Sequence, residues 1–95
     1  YSPWTFFQQR RFLPSKKEMP YSEQEQATLR RLGDTLRALR KQKGLSQEAL
    51  AFEAGLDRTY VSSVERGERS IALLNLKRLA TALGVEVRAL VEGVG

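Results

Sequence analysis

The sequence predicts an all-α fold, a compact bundle of five helices preceded by an N-terminal extension. Three observations lead there. From Ser22 onward apolar residues recur at steps of three and four, and capping residues and glycines punctuate that pattern at short intervals. No alternating run of useful length argues for a strand. Ninety-five residues suit one domain with little left over. A chain so short has a marginal core, which must pack tightly or be shared with another copy.

The first 21 residues differ from the remainder, so we divide the chain into an extension (1–21) and a domain (22–95). Trp4, Phe6, Phe7 and Phe12 are interleaved with Arg10, Arg11, Lys16 and Lys17, and broken by Pro3, Pro14 and Pro20. Thr5 to Leu13 has room for a short helix, but the two later prolines prevent a long one. Met19 is a candidate natural start, and whether residues 1–18 are native or an upstream addition stays open. The segment has three readings, a solvated basic tail, an arm packed against the domain, or a contact with the DNA minor groove or a protein partner, of which the tail is the simplest.

In the domain, Leu29, Leu32, Leu36 and Leu39 form one apolar stripe, with Arg30, Arg31, Arg37 and Lys41 outside it. Lys43-Gly44 ends this first helix. Ser46 is a good N-cap for a short second helix, Glu48 complements its dipole, and Gly55 closes it. Asp57 caps a third helix running to about Arg66-Gly67, followed by a polar loop from Glu68 to Ser70. Leu73, Leu76, Leu79, Ala80 and Leu83 mark a fourth helix closed by Gly84. Val85, Val87, Leu90 and Val91 suggest a short fifth.

Composition narrows the functions. The formal charge is +5, which favours a polyanionic partner, nucleic acid first and an acidic membrane surface second. Without cysteine there is neither a disulfide framework nor a thiolate metal site. Without histidine the commonest general base and transition-metal ligand are missing. No glycine-rich phosphate loop or carboxylate cluster replaces them, so we expect no enzyme, no cofactor and no metal. No apolar run is long enough to span a bilayer, and the expected location is the cytoplasm.

Residues 46–69, SQEALAFEAGLDRTYVSSVERGER, read as two helices joined by a tight turn. Ala51 is small where two helices cross, Gly55 suits a positive φ, and Val61 and Val64 face back toward the preceding helix. This is a helix-turn-helix arrangement. At about 100° per residue, Arg58, Thr59, Ser62, Ser63 and Arg66 share an arc of roughly 140°, with Tyr60, Val61 and Val64 opposite. One face is core. The other offers short hydroxyls framed by arginines, which suits a DNA major groove lined with donors and acceptors.

The chain from about residue 32 to 91 resembles the lambda-type helix-turn-helix family, which includes phage repressors and restriction-modification controller proteins. The resemblance rests on LRALRKQKGLSQEALA, the turn Gly55-Leu56-Asp57, YVSSVERGER and LKRLATALGV; Asp57-Arg58-Thr59-Tyr60 is similar to the controller subgroup. It implies a five-helix, lambda-repressor-like domain that binds double-stranded DNA, at a palindromic operator, as a homodimer regulating transcription. The recognition helix is expected at about 57–66 in the major groove. The resemblance implies base reading by Arg58, Thr59, Ser62 and Ser63, and phosphate contact by Ser46, Gln47, Tyr60, Arg66 and Arg69. Arg40 and Glu65 match a buried ion pair, and Val87, Leu90 and Val91 a dimer surface. Ala72 departs from the serine or threonine that often precedes the fourth helix. The alternative reading is a protein-interaction module or antitoxin built on the same fold.

Overall fold

The computed structural model describes residues 20–92. Trp4, Phe6, Phe7, Phe12, Arg10, Arg11, Lys16 and Lys17 of the extension, and the short helix allowed there, lie outside the described residues. Five helices follow in order: α1 (Glu23–Gln42), α2 (Gln47–Ala54), α3 (Arg58–Glu65), α4 (Leu73–Leu83) and α5 (Val87–Val91). No strand occurs among the described residues.

Local sequence accounts for most of the boundaries. Ser22 opens α1 in a capping box: its Oγ accepts from the Glu25 amide at 3.1 Å, and its own amide donates to Glu25 Oε1 at 2.9 Å. Ser46 caps α2 by accepting from the Ala49 amide at 3.0 Å. Asp57 caps α3 through the Thr59 amide at 2.8 Å. Ala72, which has no side-chain acceptor, leaves the start of α4 without such a bond.

The core draws on every helix. Leu32 and Leu36 come from α1; Leu50, Ala51 and Ala54 from α2; Val61 and Val64 from α3; Leu76, Leu79, Ala80 and Leu83 from α4; Leu90 from α5. Each fully buried leucine or valine among them contributes about 1.5–3 kcal/mol of transfer free energy. Helix α1 packs on α3 and α5, α2 packs on α3 and α4, and α4 packs on α5. The ends of the α1 stripe, Leu29 and Leu39, are only half-buried. Leu73, read as part of the α4 stripe, is a correction. It occupies the first position of the helix, beyond its covered turns, and remains 73% exposed. Phe52 and Leu74 are also exposed. No helix among the described residues is long and apolar enough to cross a membrane.

Candidate nucleic-acid interface

The turn between α2 and α3 sets the presentation of the site. Gly55 adopts φ +72°, and the amide of Leu56 reaches back to the Ala51 carbonyl at 2.8 Å. A residue with a Cβ adopts that backbone only under strain. Val61 and Val64 are buried, so α3 shows its other side outward.

That side carries the residues expected to read bases. Arg58 and Thr59 are exposed, and Ser62 and Ser63 half-buried. Their hydrogens are not equally available. Thr59 Oγ1 donates to Asp57 Oδ1 at 2.6 Å, and Ser63 Oγ donates to its own helix at the Tyr60 carbonyl, 2.9 Å away. Both hydroxyls therefore meet a partner chiefly as acceptors, Thr59 with a methyl group as well. Arg58 makes no ion pair or hydrogen bond with the described residues, so its donor fork is free. The Asp57 carboxyl is held below its ordinary range, first by the Thr59 hydroxyl, then by the Thr59 amide, with Arg58 adding to them.

The residues expected on phosphates surround this arc. Ser46 Oγ accepts from Ala49 and keeps its own proton for donation. Gln47 Nε2 donates one hydrogen to Glu65 Oε1 at 3.0 Å, leaving the second. Arg66 reaches Ser62 Oγ through Nη1 and lies 3.1 Å from Glu68 Oε1 through Nη2, so its charge is partly answered within the chain. The Arg69 guanidinium sits over the Tyr60 ring, 5.4 Å from its centre.

Beneath the arc, Arg40 and Glu65 meet across α1 and α3. Arg40 Nε donates to Glu65 Oε2 at 2.6 Å and Nη2 to Oε1 at 3.0 Å, while Nη1 donates to the Leu45 carbonyl at 2.8 Å. Both are buried, 8% and 3% exposed. Arg37 Nε approaches the same carboxylate at 3.6 Å. Burial pushes the Glu65 carboxyl upward. The hydrogen bonds from Arg40 and Gln47, with the charges of Arg40 and Arg37, outweigh it and hold the group below its ordinary range. The Glu65 hydrogen bond in turn raises Arg40.

Three features escaped the sequence reading. Gly33 lies against the end of α3: a Cβ there meets the Glu65 carbonyl oxygen at 2.4 Å and that of Val64 at 2.6 Å. Its signal was present, since a glycine inside a helix costs about 1 kcal/mol against alanine and asks for a packing reason. The second is the tie from Gln47 to Glu65. The third is Asn75 of α4, which donates to the Tyr60 hydroxyl at 3.2 Å. Nothing periodic in the sequence announces a contact across the intervening loop.

At the C-terminal end one expectation is corrected. Leu90 was expected on a subunit contact, but it is 0% exposed and belongs to the core of its own chain. Helix α5 is held to the core by Leu90, with Val87 packed against it. Val87 is half-buried and Val91 exposed. More fully uncovered than Val91 are Leu73 and Leu74 at the start of α4, at 73% and 70%, and Phe52 of α2, at 87%.

Comparison with known proteins agrees with the all-helical fold. Residues 36–90 match a family described as helix-turn-helix. The chain is 43% identical over 65 residues to control protein C.MunI from Mycoplasma sp, covering 67% of this chain and 88% of that protein. It is similar to the crystal structure of the restriction-modification controller protein C.AhdI from Aeromonas hydrophila. That match has a TM-score of 0.67 and 58% identity, over 67% of this chain and 97% of the other. A further structure holds the controller protein C.Esp1396I as a tetramer in complex with its natural 35 base-pair operator. Its TM-score is 0.64 at 31% identity, over 70% of this chain and 88% of that one.

Proposed function

This chain belongs to the helix-turn-helix family, and from that premise we propose that it is a sequence-specific regulator of transcription that binds a palindromic DNA operator as a homodimer. The observation that carries the reading is the outer arc of α3, where Arg58 keeps an unpaired donor fork beside the small side chains of Thr59, Ser62 and Ser63. A guanidinium pairs with guanine O6 and N7, and a threonine methyl meets the thymine methyl. Helix α3 enters the major groove, and Ser46, Gln47, Tyr60, Arg66 and Arg69 hold the backbone on either side.

One recognition helix reads only a few base pairs, so two copies on a two-fold axis extend the site. The exposed apolar surface of Leu73, Leu74 and Val91 supports a contact between copies. The similarity to control proteins favours a role beside a restriction-modification gene set, acting in the cytoplasm, where such a regulator meets its DNA.

The test separates two arginines, using a duplex selected by this protein from a randomised pool, its single-base variants and mixed-sequence DNA. Arg58→Ala loses about 1–3 kcal/mol on the selected duplex and relaxes preference at one base pair per half-site. Arg69→Ala weakens all duplexes about equally and flattens the salt dependence by roughly one phosphate equivalent per subunit. Equal loss on every duplex for Arg58→Ala assigns that residue to the backbone and removes the base-reading role.

A further inference from the structure

Tyr60 is joined to α4 by a short polar chain that the base-reading arc does not use. Arg78 Nη1 donates to Asn75 Oδ1 at 3.0 Å, and Asn75 Nδ2 donates to the Tyr60 hydroxyl at 3.2 Å. The order of donors decides what Tyr60 can do. An amide has one accepting end and one donating end, and a guanidinium only donates. With Arg78 on Oδ1, the amide presents Nδ2 to Tyr60. The phenol oxygen is then the acceptor of that bond, and its own proton is left for another group. No described residue accepts it. On the ring itself sits the Arg69 guanidinium, 5.4 Å from the centre, which brings a second donor to the same place.

The geometry points to Asn75, oriented by Arg78, as a positioning residue that keeps the Tyr60 hydroxyl a donor toward a phosphodiester oxygen of the DNA. This rests on the DNA-binding reading above and deepens it. A phosphate oxygen can only accept. Were the amide reversed, the Tyr60 proton would be spent on Oδ1, and its lone pairs would face the phosphate. Asn75 thus acts through Tyr60, although it lies on a different helix and has no charge of its own. Its effect is independent of DNA sequence, because the backbone carries no base information.

The experiment is a double-mutant cycle with Asn75→Ala and Tyr60→Phe, read as affinity for the selected duplex and for mixed-sequence DNA at several salt concentrations. Asn75→Ala and Tyr60→Phe each weaken both duplexes by about 12- to 150-fold, the range of one hydrogen bond to a charged group. The double variant is no weaker than Tyr60→Phe alone. The salt dependence keeps its slope, because a neutral donor releases no counterion. Thermal melts of the free variants check that the fold is retained, and Asn75→Ser repeats the cycle with a smaller change. Full additivity of the two losses, or an affinity unchanged by Asn75→Ala, overturns the proposal. Failure of the wild-type chain to bind either duplex is a different result, and overturns the DNA-binding reading itself.

Discussion

Gln47 Nε2 donates to Glu65 Oε1 at 3.0 Å, so the first residue of α2 is tied to the last residue of α3. The same carboxylate receives two bonds from Arg40 of α1. One buried group thereby sets three helices against each other, and the angle between α2 and α3 decides how the recognition arc meets a groove.

Removing one member of the Arg40–Glu65 pair strands the other in a buried site. Glu65→Ala and Arg40→Ala are each expected to cost about 3–5 kcal/mol. Gln47→Ala costs less, because the ion pair survives it. Urea unfolding of the three variants checks the order, and a Glu65→Ala midpoint at or above that of Gln47→Ala would contradict it.

The pH dependence follows from the same group. In the folded chain the Glu65 carboxyl is held below its ordinary value of 4.5. A carboxyl depressed on folding stabilises the fold above its unfolded pKa, and that contribution is lost as pH falls from there through the folded value. Stability measured by urea unfolding should therefore decline as the pH drops below about 4.5. In a Glu65→Gln variant that part of the decline is missing, and an unchanged acid profile would show that other carboxyls carry it.

Gly33 allows α1 to approach the backbone of α3. Gly33→Ala puts a methyl within 2.4 Å of a backbone oxygen, an overlap that no side-chain rotation relieves. The expected cost is about 1–3 kcal/mol despite the better helix propensity of alanine. Thermal melting tests the sign: a stabilised variant means that the helices are farther apart than this.

Leu73 and Leu74 can be changed without disturbing the core. Glutamate at either position suits the first turn of a helix, so Leu73→Glu and Leu74→Glu together should preserve the melting temperature of the free subunit. Sedimentation should show the wild-type chain at twice its mass and the double variant at its single mass. A variant still dimeric would move the contact elsewhere on the surface.

Much of this molecule was legible in the chain because short-range rules decide it. Ser22, Ser46 and Asp57 cap helices through amides two or three residues away, Gly55 turns the chain locally, and the spacing of the leucines marks the faces that pack. The arc of Arg58, Thr59, Ser62 and Ser63 follows from helical periodicity alone. Only tertiary structure decided which of those residues were spoken for. Whether Leu90 faces a partner or its own core, or whether Gln47 keeps both amide hydrogens, depends on what another helix brings within about 3 Å. The same holds for Asn75 behind Tyr60 and for the lack of room at Gly33. Periodicity specifies the side of a helix on which a residue lies, but not the atom that meets it there.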